Sequence, residues 1–570
     1  MPFETLPDTP RASFLGLPLE IRQHVYLEYF TIEGGYTYDA ETDRLVQASL
    51  FAIDLSLRYV CRMIALETYH CPFTLNTITF STAYRQDWRK QAAIFDFITT
   101  YHFRLQLAML DRLRHCLTPD MYETPSHQYS RYISAIAKKT SDTIALENRH
   151  PNFNMDSYAK HIMEDFKEGR GIKFDGGDLS KVSVFDNNIS SKRTYTYLLR
   201  QIANRYPEKF REAIDDLLPG WSKSKSRSAF DFFNLGFDFW AIPTLPEVTD
   251  MVEQLQLRER WDQLDLWRYN EGFEEGYTGT RSCYQRKHFF SAAALAIRFL
   301  KGISQTHRLL ITKLALNEDR MAVGNPECHV IGLIAFVEEN PKLFIEHRVN
   351  LWRNIIPKGC GTELSGFPTQ NESDTDHGEG VPHPHQVHSQ WASNAISHFI
   401  MHTLESLREG LPPNSYSFIF DGEPELSYST ETFRYLTDVQ IAWMTANTDC
   451  VARGVLASPE SKNYPFTTYP STGETASVQE RSSIIQCNFT LDQPWDYKSI
   501  AGDNSENIYG WGSVDEIMRD PDTDDEFDNF YVSNGNVDWM QIKGEYFEMQ
   551  SRSDLSEVET KALHYGHLKE

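Results

Sequence analysis

From Phe14 the chain reads FLGLPLEIRQHVYLEYF, in which Leu17, Ile21, Val25 and Tyr29 recur every four residues. That spacing lines one side of an α-helix with apolar side chains. Pro18 suits the first helical position and Glu20 the first turn, so a helix is predicted to begin at Leu17 or Pro18 and to end at Gly34-Gly35. LSLRYVCRMIALETY repeats the pattern with Leu57, Val60, Cys61 and Ile64, and Pro72 is expected to close it. Behind it TLNTITFST is rich in β-branched residues and predicts a short strand through Ile78 and Phe80. Helix, helix, strand make an opening unit.

Residues 88–118 read as helix, or helix then strand, and 126–147 carry helical spacing at Tyr132, Ile136 and Lys139. Glycine-rich 169–178 and PGWSKSKSRS at 219–228 predict breaks. FFSAAALAIRFL (289–300) reads as a core helix. In RLLITKLALNED, Leu310, Thr312, Leu314 and Leu316 share one face while Leu309, Ile311 and Ala315 share the other, which predicts a strand buried on both sides. Val330, Leu333, Ile334 and Val337 then mark a helix halted before Pro341. Residues 358–390 turn to Gly, Pro, His, Ser and acidic residues and read as a linker or long loop. A helix over 391–408 and strand-like YSFIF and SIIQCNF follow. The expected class is α+β: a helical unit at 13–82, a mixed α/β body at 83–357, the linker, and a C-terminal helix plus β-rich acidic region at 391–570. No fixed-period repeat supports a solenoid or propeller.

Composition changes this picture little. With 570 residues, 41% of them hydrophobic, and 35 Phe, 28 Tyr and 11 Trp, the chain has enough apolar surface for more than one packed unit. A net charge of −25 disfavours general nucleic-acid binding. The charge is uneven: 501–570 hold 17 acidic against 5 basic residues, whereas 281–320 hold 8 basic against 2 acidic. The basic stretch reads as a solvated face or an internal partner for the acidic end. No apolar run reaches the ~18 residues that cross a bilayer, and the first residues lack a secretory core, so the expectation is an intracellular chain, cytoplasmic or nuclear, without a membrane. Eight scattered cysteines form no C-x-x-C pair and read as reduced thiols.

The pattern L-P-x-E-I (Leu17, Pro18, Glu20, Ile21), then V-C-R (Val60, Cys61, Arg62) and N-T-I-T-F (76–80), resembles the expanded F-box-like family of fungal proteins over residues 13–82. The block from Thr306 to Leu343 is similar to uncharacterised fungal relatives of the same kind and implies no activity. The resemblance implies that Leu17, Pro18, Ile21 and Val25 dock onto the linker subunit of a cullin-type ubiquitin ligase, while the remainder holds a target protein. The physical form of such a contact is an apolar helical stripe laid into a partner's groove. The same stripe serves equally well as the helix's own core face.

Chemical signals are sparse. His377, His383, His385 and His388 are possible metal ligands by residue type, but they sit in a Pro/Gly-broken stretch. HFIMH (398–402) spaces two histidines as in a metalloprotease helix, with Phe399 where the general-base Glu must stand. Glu327, Cys328 and His329 adjoin in sequence, which is not the spatial adjacency that nucleophilic catalysis requires. Asp520, Asp522 and Asp524 begin a calcium-loop spacing, which fails at Asp525 and Tyr531. G-x-G-x-x-G, G-x-x-x-x-G-K-[ST] and G-x-S-x-G are absent. The reading is an interaction adaptor rather than an enzyme, with no catalytic residue, metal or cofactor nominated. The alternatives are a metal-dependent enzyme built on His377–His402, and a structural or nuclear interaction protein using the basic patch at 281–320.

Overall fold

The opening helix, α1 (Leu19–Phe30), starts later than its periodicity suggests because Pro18 is extended and stands at the N-cap. The computed structural model describes residues 13–123, 130–149, 189–223, 228–257, 268–271, 282–359, 386–434, 436, 484–490, 529–531 and 537–551. After α1 the chain turns through Gly34 and Gly35, at φ +74° and +71°, into β1 (Tyr36–Asp39), which pairs antiparallel with β2 (Arg44–Gln47). A Cβ on Gly35 would stand 2.3 Å from the Thr77 carbonyl oxygen, so the backbones meet there only because the residue is glycine. The second predicted helix breaks into a 3₁₀ turn, Ser56–Tyr59, and α2 (Arg62–Glu67), with Cys61 extended between them. Pro72 closes no helix; it lies in the first turn of α3 (Cys71–Thr74), a position that needs no N–H. β3 (Ile78–Ser81) buries Ile78 and Phe80 as its pattern predicts, and α4 (Arg89–Arg112) is helical throughout.

Four more strands complete the main sheet: β4 (Lys313–Glu318), β5 (Phe344–Asn350), β6 (Tyr416–Asp421) and β7 (Ile485–Cys487). Their order is β7-β6-β5-β4-β3-β1-β2 across seven strands, and every neighbouring pair is parallel except β1 and β2. From β1 to β7 the chain therefore adds parallel strands in one direction. Doubly wound sheets cover both faces by reversing that direction part-way; without a reversal, crossovers of the usual right hand put their helices on one face. Packing agrees. Phe299 of the helix Ala292–Gly302 lies against Tyr38 and Phe80, and Phe399 of the helix Ser389–Arg408 lies against Phe418, all on the same side.

Among the described residues the other side is open and polar, and the expectation that 309–318 is buried on both sides holds for Ile311 and Ala315 but fails for Leu309. Leu314 and Leu316 face the core, whereas Lys313, Ala315 and Asn317 line the open side, and Leu309 is exposed before the strand begins. The helix expected from Val330 to Val337 is a 3₁₀ segment, Pro326–Leu333, continued by a short α-helix, Ile334–Glu339. β5 was not predicted, because Glu346 and Arg348 on its open side interrupt the apolar run.

The α+β class holds, with the seven-stranded sheet taking strands from 13–82, 83–357 and 391–570 alike. Those three ranges are thus joined through one sheet. Near the C-terminus, Phe547–Ser551 pairs antiparallel with Ser282–Arg286, and Arg320–Glu545 and Arg89–Glu548 are ion pairs of 2.9 and 2.6 Å. Residues 169–178, 360–385 and 520–528 lie outside the described residues. Among the described residues no helix is long and apolar enough to cross a membrane.

Candidate interaction surfaces

The inward face of α1 is Arg22, Tyr26 and Phe30, not the aliphatic stripe. Arg22 grips the Glu67 carboxylate with two hydrogen bonds, from Nε at 3.0 Å and Nη2 at 2.6 Å, and donates to the Leu17 carbonyl. The Tyr26 hydroxyl donates to the same carboxylate at 2.7 Å. Arg22 holds the Glu67 carboxyl below its ordinary range, and burial pushes the Tyr26 phenol up to about 12. At the far end of the helix buried Asn76 donates to the Phe30 and Pro72 carbonyls and accepts from the Ile32 N–H, tying α1, α3 and the approach to β3 together. A bidentate guanidinium–carboxylate pair fixes rotation as well as distance. It sets which side of α1 turns inward.

The aliphatic stripe consequently points outward. Leu17, Pro18, Ile21 and Val25 are all exposed, Ile21 at 48% and Val25 at 41%. Leu15, Leu19 and Leu27 on the same segment are also exposed, and so are Tyr59, Val60, Met63 and Leu66 on and before α2, Leu66 at 69%. The small core beneath, Tyr26, Phe30, Ile64 and Cys71, leaves these side chains uncovered. Scattered surface leucines are ordinary, but repeated large aliphatics on one helical unit mark a surface that excludes water only when a partner covers it.

A second surface is the open side of the sheet, which floors a cleft of about 690 Å³. Strand register sorts its side chains into rows. Thr79, Ala315, Glu346 and Ser417 form one row, and Ser81, Asn317, Arg348 and Ile419 the next. Glu346 accepts from both Lys313, at 2.8 Å, and Arg348, at 2.6 Å, and these cations hold its carboxyl below the ordinary range although burial opposes them. At the strand ends or just past them the cleft is lined by Asp319, Asp421 and Glu423, together with Arg353.

Among the described residues the sequence-nominated chemistry gathers into no site. His398 and His402 are buried with ring centroids 6.4 Å apart. His377, His383 and His385 lie outside the described residues, and among those described no group of three or more His, Cys, Asp or Glu is placed to hold a metal. Burial pushes the Cys328 thiol up to about 12, and the thiol donates to the Asn325 carbonyl. His329 bridges Ser291 Oγ, at 2.6 Å, and the Gly324 carbonyl, at 2.7 Å; since the carbonyl can only accept, Nε2 carries the proton and Nδ1 accepts from the serine. Ser291 in turn caps the helix Ala292–Gly302 by accepting from the Ala294 N–H, a structural task. Beside it buried Glu318 accepts from the Ala292 and Ala293 N–H groups, and burial still raises its carboxyl to about 8. In the basic stretch, Arg298 pairs with Asp43, Arg308 with Glu339, Lys313 with Glu346, and Arg320 with Asp319 and Glu545. These cations hold parts of the chain together.

No family model, curated protein or solved structure matches this chain. Sequence reasoning missed the cleft. Its one trace was the alternation of polar residues with apolar ones along 313–318 and 344–350, short enough to pass as interrupted core strands.

Proposed function

We propose that the chain is an F-box-like interaction adaptor: its N-terminal ridge docks a scaffold protein, of the kind that links such chains to a cullin-type ubiquitin ligase, and its open sheet face holds a target. The observation that carries this reading is the outward stripe of Leu17, Ile21 and Val25, set by the Arg22–Glu67 pair rather than buried by its own core. An apolar stripe at i, i+4 spacing is what a groove on a partner recognises. The neighbouring Val60, Met63 and Leu66 widen it beyond a single helix. Co-purification of the full chain with the ligase linker subunit is the test. Ile21→Asp and Val25→Asp should each abolish capture while leaving the circular dichroism spectrum and melting temperature unchanged. Undiminished capture by both variants would remove the ridge from the interface.

A further inference from the structure

Seventeen large apolar side chains are exposed among the described residues, and thirteen of them lie between Leu15 and Tyr69. The ridge on α1 and its extension on α2 hold most of these. Leu50 and Phe51, in the loop that follows β2, belong to neither, yet at 77% and 70% they are more exposed than any side chain of α1. Their loop is tightly held. The Gln47 N–H donates to the Phe51 carbonyl at 2.9 Å, the Leu50 N–H donates to the Gln47 carbonyl at 2.8 Å, and the Gln47 side-chain amide donates to the Ala52 carbonyl at 3.1 Å. Closing the loop puts Leu50 at φ +65°, in the left-handed region where a Cβ crowds the carbonyl that follows it. Local folding alone favours glycine or asparagine at such a position. A leucine there is strained and also presents its side chain to water, which points to a contact outside its own fold.

The loop is continuous with the ridge. Ile53 turns in to the main core, and Leu55 and Leu57 turn in to the small core beneath α1. Between them the Tyr29 hydroxyl donates to Asp54 at 2.7 Å and lies 3.0 Å from the Ser56 hydroxyl, and Tyr29 stands one turn past Val25. Phe51 is three residues from Asp54, at most about 11 Å of chain, so the tip lies at the Val25 end of the aliphatic line. On its other flank the Ala48 N–H donates to the Gly35 carbonyl, at the edge of the cleft. The cleft floor is hydroxyls, amides and charges, and apolar side chains match the ridge instead.

We infer that Leu50 and Phe51 are a second anchor for the protein that covers the ridge, filling an apolar pocket where that partner's groove runs on past Val25. The inference rests on the reading of the ridge as a docking surface, and it names what the partner presents: an apolar groove closed by a pocket of aromatic size. A loop already fixed in shape loses little entropy on docking, which is what lets two side chains act as hot spots. Other occupants fit less well. The charged side chains on the outward half of α1 are Glu20 and Glu28, Arg22 being turned inward. A second copy laid ridge to ridge brings carboxylates toward carboxylates, and an anionic lipid surface meets the same repulsion.

Biolayer interferometry of the full-length chain on the immobilised ligase linker subunit tests this, with melting temperatures measured alongside. Phe51→Ala and Leu50→Asn should each weaken binding by about tenfold or more. Leu50→Asn should melt at the parent's temperature or above it, because asparagine tolerates the left-handed backbone that leucine resists. A Leu50→Asn variant that melts well below the parent would assign the leucine to the chain's own packing and overturn the inference, as would parent-like affinity in both variants. Dimerisation of the parent, or its binding to phosphatidylcholine–phosphatidylserine vesicles, would overturn it equally if Phe51→Ala abolished either, since the tip would then serve another occupant. Loss of capture in Ile21→Asp with parent-like binding by both tip variants removes the anchor alone. Absence of capture by the parent itself removes the docking reading and the anchor with it.

Discussion

The N-terminal helical unit and the main sheet solve the same problem in opposite ways. In the sheet, apolar residues at every second position turn inward and polar ones outward, so Phe418 and Phe420 are buried while Ser417 and Asp421 are not. In α1 the buried line is Arg22, Tyr26 and Phe30, and the aliphatic line is left outside. The difference lies in how much each region can bury. The sheet is backed by long helices, so transfer of apolar surface decides which face turns inward. The unit around α1 has a core of four buried residues, and there one bidentate ion pair and a buried asparagine decide the helix's rotation. A helix oriented by polar contacts is free to offer its aliphatic side to another molecule.

Substitutions on the two faces of the sheet should separate most widely. Phe418→Ala, on the packed face, is expected to lower stability by about 3–5 kcal/mol in urea titrations, since it removes an aromatic from a close-packed interior. Ile419→Ala, its neighbour on the open face, should change stability by no more than ~0.5 kcal/mol. Comparable losses would mean that the open face is covered, and the contrast would break.

Asn76→Ala should weaken the chain by about 1–3 kcal/mol, because it orphans the Phe30 and Pro72 carbonyls and the Ile32 N–H. If capture of the ridge's partner falls in step with the melting temperature, the asparagine holds the unit in its docking geometry. A variant with unaltered stability would show that the asparagine is not needed to hold α1 in place.

The pH dependence sharpens the comparison from the packed side. Glu318 has its carboxyl raised from 4.5 to about 8 by burial, so between those values the folded chain keeps a proton that the unfolded chain has released, and stability falls as pH rises. His329 and His347 are lowered by burial from 6.5 to about 4 and about 3, so their contribution runs the other way, increasing with pH up to about 6.5. Glu318→Gln should remove the falling part: its stability relative to the parent should grow from pH 5 to 8, by at most ~1.4 kcal/mol per pH unit. A difference that stays flat across that window would place the carboxyl's titration elsewhere.

The smallest expected effect on stability belongs to the ridge. Ile21→Asp should stay within about 0.5 kcal/mol of the parent, since the side chain is half exposed. A loss of several kcal/mol would mean that α1 packs its aliphatic side after all.

Local pattern alone determined where much of the chain turns into helix or strand. The period-four repeat announced α1, the β-branched run announced β3, and the alanine-rich stretch after Ser291 announced a buried helix, because 3.6- and 2-residue periods are properties of neighbouring residues. The identity of the ridge residues was legible for the same reason. Which way they point was not, since that depends on Glu67, 45 positions away from Arg22, arriving to hold the guanidinium inward. The cleft was equally hidden: Glu346 and Arg348 interrupt an apolar run in sequence, and only the one-directional strand order, joining β1 to β7 across more than four hundred residues, leaves their side of the sheet without cover from the described residues. Direction of burial is settled between distant segments, and a chain read residue by residue carries no record of which of them will meet.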